Sequence, residues 1–410
     1  MNYILKQFDE PLVKFSATTD TSEPEIQILW TNEEKAAFLP LGLTLTPDGL
    51  SRWLRRRAIP KNRAYVHSLL AKCGLNLNRP LSIIGVCKGL SLNDCYWVVE
   101  DGDTASFGKV NLYDNPFSNV LAELAFTGYG SSVRTSLLSS PEFTTNGMLR
   151  KCWRRMGGKV YLYKGGTEGA ANTGNEPYEG LAEAVTSALL AQTNTDALGF
   201  HYVTYRMERM EVHGHIRNGC SSANFLRQGE AILTLAELLR KGVGPDWQTA
   251  VNRLPNLQSR LAWLVEQVER LTGLDRFGTY LTLLFEVDML FGNEDRHLNN
   301  IAVLRCGDGF DYCPIFDFGA GLLSNTRDYP MEIEPDALVR QLKAQPMKTG
   351  FVRQVHAAQN LYGPQLRCDF AEKEIMASLS EPLEFYAKRD VPYIRDRVTA
   401  CIKFQRKKLF

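Results

Sequence analysis

The stretch FGNEDRHLNNIAVL, from Phe291 to Leu304, closes a run, FGTYLTLLFEVDMLFG, in which Leu283, Leu284, Val287 and Leu290 recur at helical spacing. Gly292 is a suitable C-terminal residue for that helix, so the polar group begins where the helix stops. Within eight residues stand Glu294 and Asp295, Arg296 and His297, and the amides of Asn293, Asn299 and Asn300. Downstream, IAVLRCGDGFDYCPIFD (301–317) reads as a strand, a Gly307-Asp308-Gly309 turn and a second strand. Such a hairpin returns Asp317, in IFDFGAGLL, to the neighbourhood of Asn300. Asp288, next to the apolar Val287, is expected to hydrogen-bond the loop from within the helix rather than to act as a ligand.

Asp295 and Asn300 are five positions apart, the offset of a protein-kinase catalytic loop, in which the Asp accepts a proton and the Asn holds a metal. An Asn amide and an Asp carboxylate at one end of a hairpin suit Mg²⁺, which takes a few hard oxygen ligands and completes its shell with phosphate and water. Phosphoryl transfer also needs a cation on the nucleotide phosphates. Lys164 ends the strand candidate KVYLYK and fits that need. The following helix carries Glu183 and, one turn earlier on the same side, Glu179. Glu183 is the preferred partner of Lys164. The loop TTNG (144–147), with Gly147, can cover phosphates with backbone N–H groups and hydroxyls, although it is no G-x-G-x-x-G.

NEDRHLNN followed by FDFG resembles the catalytic and metal-binding segments of the HipA-like kinases, especially their stand-alone branch that includes the CtkA protein kinase. Phosphoinositide kinases share a related D-R-H-x-x-N loop. The resemblance covers roughly residues 140 to 330, including NGMLRKCW and YLYKGG. It implies a serine/threonine-protein kinase using ATP and Mg²⁺. Asp295 is then the base or orienting carboxylate, Asn300 and Asp317 the metal ligands, Lys164 the phosphate-binding cation, and Arg296 and His297 the braces of the loop. It also implies a protein substrate, an antitoxin-like protein partner, nucleic acid reached only through such a partner, and self-phosphorylation near the phosphate loop, where Ser139, Ser140, Thr144 and Thr145 are candidates. The segment after Asp317 lacks the Ala-Pro-Glu anchor of protein kinases.

Outward from this centre the chain reads as α+β: a bilobal protein-kinase-like fold with a β-rich N-lobe (116–225), a helical C-lobe (226–410) and a small N-terminal α+β region (1–115). In the first region, residues 46–74 read as a helix with four arginines between Arg52 and Arg57, and 81–87 (LSIIGVC) and 94–101 (DCYWVVED) as strands. In the second, MLRKCWRRM (148–156) and KVYLYK (159–164) form a hairpin about Gly157-Gly158, the loop TEGAANTGNEP (167–177) leads to a helix over 178–192, and HYVTYRME (201–208) and EVHGHIR (211–217) are strands. Residues 229–242, 257–273 and 277–292 read as helices. His213, His215 and Cys220 lack a second paired element and read as polar strand edge rather than as zinc ligands. Trp153, Tyr161 and Tyr163 read as strand packing.

The 47 basic and 46 acidic side chains leave a net charge of +1, which argues against a general nucleic-acid or membrane binder. Nine cysteines without C-x-x-C pairs fit reduced thiols in a cytoplasmic protein, and no stretch approaches about 18 consecutive apolar residues. Two other functions remain compatible with the residues: a small-molecule or lipid kinase, and a nucleotide-binding pseudokinase or regulatory module that engages a partner through the basic 52–57 segment.

Overall fold

The computed structural model describes residues 1–18, 21–131, 140–167 and 177–410. Ser139 and most of the 167–177 loop lie outside the described residues. The described architecture is α+β, with three antiparallel sheets and a helical C-terminal half. The first sheet, in order β3-β2-β1-β4, comprises β1 Asn2–Gln7, β2 Glu10–Ala17, β3 Ile26–Thr31 and β4 Tyr96–Glu100. Between β3 and β4 lie the helices α1 Pro47–Arg56, α2 Val66–Lys72 and α3 Pro80–Cys87.

Two expectations for this region are corrected. The 46–74 helix is two helices. Thr46 starts the first by accepting from the Gly49 N–H at 3.0 Å, and it ends at Arg57. The Arg57 guanidinium turns inward to Asp94, at 2.5 and 2.9 Å, and to the Gly89 carbonyl at 3.1 Å. Pro60 then bars helical continuation. Only three of the four arginines therefore stay on the surface. Residues 81–87, expected as a strand, form α3: Leu81 and Ile84 enter the core under the first sheet, while Ile83 and Cys87 enter a second core. A short helix apolar on both faces looks like a buried strand in sequence.

The second sheet follows the single-turn α4 Phe107–Val110 and the helix α5 Asn119–Thr127. Its strands β5 Lys151–Met156, β6 Lys159–Gly165, β7 Arg206–Val212 and β8 His215–Ala223 run in the order β5-β6-β8-β7, with α6 Glu179–Leu190 packed on it. Gly157 and Gly158, both at positive φ, make the β5-β6 turn. EVHGHIR is not a strand but spans the β7-β8 turn, because His213 and Gly214 both take positive φ there. The second core joins Val66, Leu69 and Leu70 of α2, Leu121 and Phe126 of α5, and Cys152 and Tyr163 of the sheet. Apolar packing thus runs unbroken across position 115.

In the third sheet β9 Glu230–Thr234 pairs with β10 Ala302–Cys306, which pairs with β11 Gly309–Tyr312. Residues 229–242 are therefore a strand and then a helix, α7 Leu235–Gly242. The Thr234 hydroxyl, accepting from the Glu237 N–H at 3.3 Å, marks the switch inside an apolar run that reads as one period. The remaining helices are α8 Trp247–Asn252, α9 Leu257–Thr272, α10 Phe277–Phe291, α11 Pro335–Val339, α12 Phe351–Tyr362, α13 Glu372–Ser380 and α14 Val391–Leu409. The α10 helix runs through the C-terminal core, packed by α9, α12 and α14. Among the described residues no helix is long and apolar enough to cross a membrane.

One buried acid supports the edge of the second sheet. Glu142 accepts from the Trp153 N–H of β5 at 2.8 Å, while its other oxygen has no partner among the described residues. Burial pushes this carboxyl up to about 8, against the Trp153 hydrogen bond and the Arg63 charge. A raised acid binds its proton more tightly in the folded chain, so its stabilisation is complete below about pH 4.5 and is lost as pH rises through about 8. Urea unfolding from pH 5 to 8 should therefore show stability falling with pH, with a shallower slope in Glu142→Gln.

Candidate active site

The C-terminal side of the site is organised from inside α10. All but one of its fifteen residues are buried, so Asp288 lies deep in apolar surroundings. Its carboxylate accepts from Arg296 Nε at 2.9 Å and Nη2 at 3.0 Å, and from Asn293 Nδ2 at 2.8 Å. Arg296 is fully buried, and its remaining N–H groups reach the carbonyls of Asn300 at 2.9 Å, Asp317 at 3.2 Å and Phe316. Asn293 also donates to the Asp317 carbonyl at 3.1 Å. One guanidinium therefore ties the end of α10, the polar loop and the segment entering Asp317 to each other. Asp317 itself adopts φ +66°, uncommon outside glycine, and these bonds hold it there.

The loop leaves its chemistry-bearing groups facing outward. The Asp295 side chain is 61% exposed, with His297 Nε2 at 3.7 Å. Asn300 Nδ2 donates to the Asp295 carbonyl at 2.9 Å, which directs the amide oxygen the other way. Of the residues read as loop braces, Arg296 makes the buried bonds; His297 is half-exposed and its contact is to Asp295. Glu294 is turned away, accepting from Tyr329 and from the Lys343 N–H.

The opposite wall comes from β6 and α6. Lys164 makes ion pairs with both Glu183 and Asp317. The second oxygen of Glu183 accepts from the Phe318 N–H at 2.8 Å, and Tyr205 OH lies 3.3 Å from the Asp317 N–H it accepts. The approach of α6 depends on glycine: a Cβ on Gly180 would sit 2.9 Å from the Gly219 carbonyl carbon of β8. Glu179 takes a different partner, accepting from the Thr167 N–H at 3.0 Å. Burial opposes charge on Lys164, but Asp317 and Glu183 outweigh it and raise its pKa well above the usual lysine value. Burial likewise opposes the Asp317 carboxylate, yet Lys164 and then Lys151 hold it well below the usual range.

Lys151 has no place in the sequence reading, although the signal for it was present. Counting six residues back and forward from Gly157-Gly158 sets Lys151 directly opposite Lys164, on one face of the hairpin. Burial, then the Lys164 charge, pushes this lysine down to about 8. Its ammonium lies 3.4 Å from the Asn146 carbonyl and would meet any Cβ placed on Gly147, so it joins the 144–147 loop to the face that carries Lys164. The loop differs from expectation in its hydroxyls. Thr144 donates to Leu90 O at 2.6 Å and Thr145 to Pro141 O at 2.7 Å, both buried, so neither faces a ligand. Ser140 is buried as well.

The Asn300 amide and the Asp317 carboxylate fit the oxygen-donor chemistry of Mg²⁺ bound together with phosphate. Among the described residues, no group of three or more His, Cys, Asp or Glu gathers to hold a metal. His213 and His215 are exposed at the β7-β8 turn, where His215 stacks on Tyr129, while Cys220 is buried in the core.

Asp288→Ala should destabilise the chain by about 3–5 kcal/mol in urea unfolding, because it leaves Arg296 charged and buried without its partner. Asp295→Ala, at an exposed position, should stay within about 0.5 kcal/mol of the parent.

No protein-family model and no curated protein matches the sequence. The solved structures similar to the chain include two kinase-related proteins. One is the Helicobacter pylori proinflammatory kinase CtkA, at 14% identity and a TM-score of 0.40, over 64% of this chain and 89% of that one. The other is HipA of the Shewanella oneidensis MR-1 toxin–antitoxin system, in complex with HipB and operator DNA, at 12% identity and a TM-score of 0.47, over 99% of this chain and 95% of that one.

Proposed function

We propose that the chain is an ATP-dependent protein kinase that transfers the γ-phosphoryl group to a Ser or Thr hydroxyl of a protein. The observation that carries this reading is the joining of Lys164, Glu183 and Asp317, from three separate elements, in one ion group on the cleft that Asp295 borders. Lys164, kept charged by its two acids, supplies the cation for the nucleotide phosphates, and Lys151, opposite it on the same face of the β5-β6 hairpin, adds a second. The Gly147 loop lies beside Lys151 and covers the phosphates through its backbone. Asn300 and Asp317 would hold Mg²⁺, which when bound neutralises charge on the phosphates. Asp295, exposed and fixed through its backbone by Asn300, receives the proton of the attacking hydroxyl as the hydroxyl oxygen bonds to the γ-phosphorus and ADP departs. The preference for a Ser or Thr acceptor and for an antitoxin-like protein partner rests on the motif resemblance.

Incubation with γ-labelled ATP, Mg²⁺ and a cell lysate, followed by separation of protein from small molecules, tests the reading. Label should enter protein as phosphoserine or phosphothreonine. Asp295→Asn should lower the rate by roughly 10²–10⁴-fold. Undiminished transfer by Asp317→Ala would sink the metal assignment, and label confined to small molecules would replace the protein-kinase reading with a small-molecule kinase.

A further inference from the structure

The loop beside Lys151 is shaped by a residue far from it in sequence. Arg63 lies between α1 and α2, is 5% exposed, and points its guanidinium at the loop. Its Nε donates to the Gly147 carbonyl at 2.6 Å and its Nη2 to the Asn146 carbonyl at 2.9 Å and to the Thr145 carbonyl. The Ala64 N–H continues the pattern, donating to the Met148 carbonyl at 2.8 Å. Four consecutive carbonyls, 145 to 148, are thus drawn onto two residues of the N-terminal region.

In a trans peptide the N–H points opposite to the carbonyl of the preceding residue. The N–H groups of Asn146, Gly147, Met148 and Leu149 are therefore directed away from Arg63, and none has an acceptor among the described residues. Asn146 and Met148 are exposed. Lys151, which also reaches the Asn146 carbonyl at 3.4 Å, stands beside this loop, and successive free N–H groups close to a cation suit a phosphate. Gly147, at φ +101°, gives the loop the left-handed turn this requires.

We propose that Arg63 is a positioning residue for the nucleotide: by holding the carbonyls of residues 145–147 it presents the opposed N–H groups, with Lys151, to the polyphosphate. The inference rests on the nucleotide-site reading above. Arg63 touches no substrate and acts through the loop, so its loss weakens recognition of the phosphates and leaves recognition of the nucleoside intact.

The test compares dissociation constants of MgATP and of adenosine for the full chain, Arg63→Ala and Arg63→Lys by calorimetry, with circular dichroism melting to establish folding. Arg63→Ala should bind MgATP on the order of tenfold more weakly, as expected when one or two charge-assisted hydrogen bonds are lost, with adenosine affinity unchanged. Added methylguanidinium should restore part of the MgATP affinity. If Arg63→Ala does not fold, Arg63→Lys serves, since one ammonium cannot reproduce the fork that spans three carbonyls. Unchanged MgATP affinity in a folded variant, or an equal loss for adenosine, would overturn the positioning role alone. Failure of the parent chain to bind MgATP would overturn it together with the kinase reading.

Discussion

The bidentate pair between Asp288 and Arg296 is the constraint on which the rest of the site depends. A charged guanidinium at zero exposure is tolerable only when its N–H groups are satisfied, and here a carboxylate from α10 and backbone carbonyls complete the set. Because those carbonyls belong to Asn300, Phe316 and Asp317, the requirement to satisfy one buried cation also ties the backbones of Asn300 and Asp317 to one guanidinium. Stability of the core and geometry of the cleft therefore have a common origin. The β10-β11 hairpin between them sets the return of the chain, and Asn293 reinforces it from Asp288 to the Asp317 carbonyl.

The same economy appears on the other wall. Glycine at 180 lets α6 approach β8 closely enough for Glu183 to reach Lys164. The N-terminal region is part of this arrangement rather than an appendage, since α2 and α3 share a core with α5 and the second sheet, and Trp97 of β4 shares another with Trp153. Arg57 and Arg63 follow the same rule as Arg296: each guanidinium is buried by giving its N–H groups to carbonyls that would otherwise need partners of their own.

Much of the site was legible because its residues mark the ends of elements. Gly292 ends α10 ahead of Asp295, Gly307-Asp308-Gly309 turns the hairpin, and Lys164 closes a strand whose start is marked by Gly157-Gly158. That turn also determined the register that sets Lys151 opposite Lys164, so the second lysine was readable from spacing. Arg63 was not, since its contacts lie 82 to 84 residues away and leave no local periodicity. The misread segments share a cause. In α3, both faces are buried, and over 229–242 a strand passes straight into a helix, so apolar spacing carries no single period. The loop threonines failed differently: a loop hydroxyl satisfies a backbone carbonyl, local for Thr145 and distant for Thr144, as readily as a ligand.

Glu183 divides its two oxygens between Lys164 of β6 and the backbone N–H of Phe318. A carboxylate is planar and rigid, so the spacing between Lys164 and the backbone just after Asp317 follows the covalent shape of this side chain. Together with the direct Lys164–Asp317 pair, that shape makes the two segments move as one at this wall, and a rotation of the Glu183 side chain or a shift of α6 would alter their spacing.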